Sequence, residues 1–115
     1  MKKALPLLAL MLVFVGCSFF HREVSVKDVT KSETIILKKK SGQGSISSIR
    51  IAGSGSISGK AEVQLILNGA VYKKAELSSS VRFEWSGDWY ADEAEVRYIS
   101  GTATGGTLTL KYDLR

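Results

Sequence analysis

Two kinds of apolar pattern divide the chain. From Ala4 to Val15, twelve residues follow one another without a charged or polar side chain. Beyond Arg22 the apolar residues mostly alternate with polar ones. Successive side chains of a strand point to opposite faces, so a period of two predicts half-buried strands. Ala61, Val63, Leu65 and Leu67 fall on one face, with Glu62, Gln64 and Ile66 on the other. Val81, Phe83 and Trp85 alternate with Arg82 and Glu84, and Ala94, Val96 and Tyr98 with Glu93, Glu95 and Arg97. Leu108, Leu110, Tyr112 and Leu114 share the last such face, and Val24 and Val26 the first. Thr34 to Lys38 is β-branched and apolar and is closed by Lys38-Lys39-Lys40. Lysines there blunt a sheet edge or approach anionic lipid, a solvated strand end being the simpler reading.

Turn chemistry separates these runs. Asn68-Gly69 tolerates the positive φ that a two-residue hairpin turn needs at both central positions, so Ala70 to Leu77 is the expected return strand. Ser78-Ser79-Ser80 reads as a loop, Gly87 breaks the strand that follows, and Ser100 to Gly106 reads as a turn region. Ser41 to Lys60 is rich in Gly and Ser, and Gly42 to Ser48 is echoed by Gly53 to Gly59. One echo does not make a solenoid; small-residue strands, twisted or bulged around Ile46, Ile49, Ile51 and Ile57, are expected instead. No segment repeats apolar residues at helical spacing. About eight short strands with turns between them predict an all-β fold: a single antiparallel β-sandwich, jelly-roll or immunoglobulin-like, over residues 23–115, with a small closed barrel as the alternative.

The first run has a different meaning. Lys2 and Lys3 precede it and Gly16 follows it, directly before Cys17. Charge, short apolar run and small residue are the layout of a secretory signal peptide. Twelve residues fall short of the roughly 20 that a helix needs to span hydrocarbon, and Pro6 weakens the run further. Phe14-Val15-Gly16-Cys17 resembles the lipobox of bacterial lipoprotein precursors, with Gly16 and Cys17 matching and Phe14 standing where Leu is usual. The resemblance is confined to residues 1–17. It implies cleavage before Cys17, lipid on the Cys17 thiol and acylation of the new amino terminus. With Ser18 rather than Asp next, it implies the outer membrane of a two-membrane bacterium. The domains are then a signal peptide at 1–16, a lipidated tether at 17–22 and the β-domain at 23–115.

Composition narrows the chemistry. The 99 residues from Cys17 onward make one domain of modest core. Cys17 is the chain's single cysteine, so no disulfide forms within it. Setting aside Lys2 and Lys3, 14 basic side chains stand against 11 acidic ones, a net charge of +3. That is not the clustered basic footprint of a nucleic-acid binder. Gly53 to Lys60 superficially suggests a phosphate loop, but the glycine-to-Gly-Lys spacing is wrong and Ala61 replaces the Ser or Thr that holds magnesium. His21, the single histidine, lies in the tether. A nucleophile–base pair and a His/Cys zinc site are therefore not expected, nor is any cofactor. A paired-carboxylate hydrolase drawn from Glu84, Asp88, Asp92, Glu93 and Glu95 is a formal third class for which so small a domain leaves little room.

Trp85 to Glu93 is the densest chemistry in the chain, with both tryptophans, a tyrosine and three carboxylates in nine residues. Alternation turns Trp85 inward and leaves Trp89 and Tyr90 in a loop. An exposed ring there, flanked by Asp88 and Asp92, can stack on the C–H face of a sugar while the carboxylates accept its hydroxyls. The same set can serve as a protein hot spot or supply oxygen ligands to calcium. The plainer reading is a loop tryptophan folded back to cap the core. The expected function is thus non-catalytic: a lipoprotein anchored in the outer membrane, on the periplasmic face, that works as an envelope binding or interaction module for a protein or glycan. A carbohydrate-binding module using Trp89 and Tyr90 is the alternative.

Overall fold

The computed structural model describes residues 22–115. The expected signal peptide, the lipobox-like residues and the expected lipidation site at Cys17 lie outside the described residues, and of the expected tether only Arg22 falls within them. Arg22 is already in a strand. The fold is all-β, with six strands in one antiparallel sheet: β1 (Arg22–Ser25), β2 (Glu33–Lys38), β3 (Ser48–Leu67), β4 (Ala70–Asp88), β5 (Glu93–Ile99) and β6 (Gly105–Leu114).

Two very long strands organise the sheet. β3 and β4 form a hairpin that pairs from Leu67↔Ala70 at its turn to Ser48↔Asp88 at its ends. Asn68 and Gly69 carry φ of 53° and 79°, the positive values expected of that turn. The opposite edge of β3 is shared. Its first half pairs with β6, from Ile49↔Leu114 to Ser58↔Gly105, and its second half with β5, from Glu62↔Ile99 to Ile66↔Glu95. β1 then pairs with β6, and β2 with β5. Each half of the hairpin therefore carries two further strands, and the sheet curls between the halves.

The curl is local. Pairing shifts between Ile57 and Lys60, so Ser58 and Gly59 are extra residues on β3. Gly59 takes φ of 96° and Ser79, opposite, takes 51°. Bulges of this kind bend a strand without ending it. This is why six strands replace the expected eight or so. Ser78-Ser79-Ser80 is not a loop; it pairs with Lys60, Ile57 and Ser56 and carries β4 round the bend. A second shift, between Leu65 and Ile66, makes Tyr72 an extra residue on β4. Beside it Leu67 is 39% exposed and Ile66 is buried, the reverse of simple alternation. Ile66 lies in a row with Ile36, Glu95 and Val71 across four strands, which shields it on its own face.

Both halves feed one core. Ile49, Ile51 and Ile57 of the first half of β3 and Val63 and Leu65 of the second belong to a single buried cluster. Ile35 and Leu37 of β2, Val96 and Tyr98 of β5, and Leu108 and Leu110 of β6 pack into the same cluster. Tyr98 is buried, and its hydroxyl donates a 2.6 Å hydrogen bond to the Val29 carbonyl. Burial, and to a lesser degree the Asp28 carboxylate, raise its pKa above the ordinary 10.0. Asp28 itself is held below its usual range because Thr30 donates to it from both Oγ1 and the backbone N–H. A tyrosine whose native pKa is raised lends stability that is complete below its unfolded value and is lost as pH climbs through the native one. Tyr98→Phe is expected to cost about 1–2 kcal/mol at neutral pH by leaving the Val29 carbonyl unpaired. It should also flatten the fall in stability above pH 10.0. Urea midpoints at pH 7 and pH 10.5 check both; an unchanged alkaline slope would refute the linkage.

Candidate functional site

The loop between β4 and β5 is where the densest sequence chemistry lies, and the structure divides its residues. Trp85 lies on β4 opposite Ile51, half-buried, with its ring 4.8 Å from that of Phe83 and tilted by 41°. Phe83 lies over Gly53, the residue paired with it; a Cβ there would stand 2.2 Å from the ring, so the Phe83 ring sits on a glycine floor.

Trp89 turns inward. It is 4% exposed and belongs to the core cluster. Its backbone N–H donates to the Ser47 carbonyl at 3.1 Å, which continues the β3–β4 ladder past its last pair. Its indole Nε1–H donates to the Glu93 carbonyl at 3.1 Å. The ring thus closes the core where the chain crosses from one half of the sheet to the other, and its polar atom is satisfied. This is the core-capping arrangement, and it removes Trp89 from any exposed sugar platform.

The other three candidates are at the surface. Tyr90 is 77% exposed. Asp88 is exposed at the end of β4, paired with Ser48. Asp92 forms an ion pair with Lys39 at 3.2 Å, and its carbonyl accepts the Lys39 N–H at 3.0 Å. Among the described residues no three His, Cys, Asp or Glu side chains are grouped to hold a metal. The sequence motif therefore separates into a core plug, one exposed ring and an acidic residue that fastens the 39–47 segment to the 89–92 loop.

Carboxylates do meet elsewhere. Glu62 and Glu76 are direct cross-strand partners and line an open concavity of about 500 Å³ with Lys60, Ser78 and Thr102, at the bend of the hairpin. Glu62 accepts a 2.6 Å hydrogen bond from Gln64. The two carboxylates stand side by side on one sheet face as direct cross-strand neighbours. Counting outward from Asn68-Gly69 would have paired Glu62 with Ala75; the extra residue at Tyr72 changes the partner, and nothing in the local pattern marks that bulge.

The second edge of β4 is the remaining feature. Among the described residues β4 pairs with β3 alone, which leaves its other edge bare for nineteen residues.

No protein family and no characterised protein matches the chain. Among solved structures it is similar to PirA, with a TM-score of 0.50 and 14% identity over 79% of this chain and 91% of that one. It is also similar to a CBM4 structure, a carbohydrate-binding module, with a TM-score of 0.45 and 11% identity over 81% of this chain and 70% of that one. At these identities the likeness is one of fold.

Proposed function

We propose that the protein is a membrane-anchored bacterial lipoprotein whose domain is a non-catalytic β-sandwich, working as a binding or interaction module on the periplasmic face of the outer membrane. The observation that carries this reading is the run from Lys2 to Cys17, in which charge, apolar stretch, Gly16 and thiol stand in lipoprotein order. The two halves of the curled sheet, closed on one core, are read as the two layers of the sandwich.

The geometry of the first strand agrees with a short anchor. Arg22 opens β1 five residues after Cys17, a reach of at most roughly 18 Å of extended chain. The Arg22 guanidinium donates to the Lys38 carbonyl, so the Lys38-Lys39-Lys40 run lies beside the point where the tether leaves the domain. Basic side chains so close to an anionic leaflet are each worth about 1 kcal/mol of attraction. Protein contact ranks ahead of glycan binding, because the capping role of Trp89 leaves Tyr90 as the loop's exposed aromatic.

Cys17→Ala tests the anchor. The parent is expected to incorporate labelled palmitate and to stay with the outer-membrane fraction through an alkaline carbonate wash. The variant is expected to lose the label and to be released. A variant that stayed with the membrane like the parent would overturn the reading.

A further inference from the structure

We infer that β4 is a dimerisation edge: two copies of this chain pair antiparallel through Ser80–Ser86, about a two-fold axis at Phe83. This goes beyond the anchor reading and does not depend on it.

The free edge of β4 is not uniform. Its first part carries Lys73, Lys74 and the extra residue at Tyr72, and Ser79 with positive φ marks the bend. Lysines and bulges are the usual guards of a bare edge. From Ser80 to Asp88 the register with β3 is unbroken, and the segment holds no lysine and no proline. Here the edge is open to another strand.

Which backbone groups face out follows from the Trp89 N–H, which points to Ser47 on the β3 side. Alternation along an antiparallel strand then turns Phe83, Trp85 and Gly87 toward β3, and Ser80, Arg82, Glu84 and Ser86 toward the free edge. In the register proposed, Arg82 meets Glu84 of the second copy and Glu84 meets its Arg82, each pair exchanging two backbone hydrogen bonds. Ser80 and Ser86 pair in the same way. On the core side Val81 meets Trp85, and Phe83 meets Phe83.

This sequence is a palindrome in chemistry: small opposite small, cation opposite anion, branched apolar opposite aromatic. Side chains on paired residues must share a sheet face, so only registers that differ by two residues compete. Moving the axis to Arg82 puts two guanidinium groups face to face, and moving it to Glu84 does the same to two carboxylates. Like charges directly opposite one another destabilise a strand pair. Moving it on to Trp85 pairs Arg82 with Asp88 but leaves Glu84 opposite Ser86, so the axis at Phe83 is the one that sets an opposite charge across from both Arg82 and Glu84. β2, which among the described residues pairs with β5 alone, has no such match: Glu33 and Lys38 differ by an odd number of residues and fall on opposite faces. Glu84 also receives Arg50 of its own chain at 3.3 Å, an exposed pair on the same face of the sheet.

Sedimentation equilibrium of the full chain in excess non-ionic detergent tests this through charge. The parent is expected to dimerise. Arg82→Glu and Glu84→Arg are each expected to weaken association by about tenfold or more, because each sets two like-charged pairs across the axis. Mixed together, the two variants should associate as a heterodimer, and the double swap R82E/E84R should restore self-association. The mixture guards against a variant that merely fails to fold. A monomeric parent at about 100 μM, an R82E variant as dimeric as the parent, or a mixture that does not associate would each overturn the proposal.

Discussion

Trp89→Ala is expected to destabilise the domain by about 3–5 kcal/mol, the range for removing a large buried aromatic ring. Its ring is 4% exposed and sits in the core cluster, at the point where the chain passes between the halves of the sheet. The 39–47 and 89–92 segments meet here through Lys39 and Asp92, and that exposed ion pair is worth too little to hold the end closed alone. Alanine would leave a cavity open to solvent at one end of the core and would unpair the Glu93 carbonyl, which accepts the indole N–H. Trp89→Phe separates the two effects. It keeps most of the packing and loses only the hydrogen bond, for an expected cost of about 1–2 kcal/mol. Urea unfolding followed by circular dichroism measures both. A loss below about 1 kcal/mol in Trp89→Ala, well under the range for a buried ring, would mean that the ring does not close the core, and the loop would return as a candidate platform for a sugar.

The same residue shows how far the sequence can be read. Periodicity is a property of neighbours along one strand, and where strands alternate the structure follows it. Leu108, Leu110, Tyr112 and Leu114 are all buried, as are Ala94, Val96 and Tyr98. Asn68-Gly69 makes the hairpin its dihedral freedom predicts. Gly87 has the composition of a strand end, yet the ladder runs through it and Trp89 keeps the phase of Val81, Phe83 and Trp85; only the pairing with Ser47 reveals that the strand continues. The direction of Trp89 is set by Ser47 and Glu93, which take its backbone and indole N–H groups. Bends are invisible for a related reason. Ser78-Ser79-Ser80 has the composition of a loop, yet the paired residues of β3 hold it in the sheet, and only the φ of Ser79 and Gly59 record the turn. Pairing order is equally non-local: nothing in β1 or β6 alone indicates that Arg22 meets Tyr112. The candidate site was accordingly legible as a list of residue types and not as a surface.

Gly106→Ala is expected to be the most damaging single-methyl change in the domain. Gly106 has φ of 123°, and a Cβ added to it would stand 2.0 Å from the Ser56 carbonyl oxygen. Gly55 makes the reciprocal approach, with φ of 148° and a Cβ position 2.1 Å from the Thr107 carbonyl. The two glycines let β3 and β6 close on each other near the bend. Ser56 cannot retreat, because β3 is paired on both sides there, to Ser80 and to Thr107. Alanine therefore meets a strained backbone conformation, worth about 1–3 kcal/mol, and a contact that must be relieved by moving a central strand, worth about 1–3 kcal/mol more. Against a total stability of roughly 5–15 kcal/mol for a natural domain, that loss is a large share of the margin, and at the low end of the range it leaves a large unfolded fraction. Gly105→Ala is the control. It is the preceding residue, with nothing within 4 Å of its Cβ position, and its variant is expected to fall within about 0.5 kcal/mol of the parent. If the two variants unfold at the same urea concentration, the close approach of β3 and β6 does not depend on a missing side chain. If only Gly106→Ala fails, the bend that brings the two halves of the sheet over one core depends on backbone contact at this glycine pair.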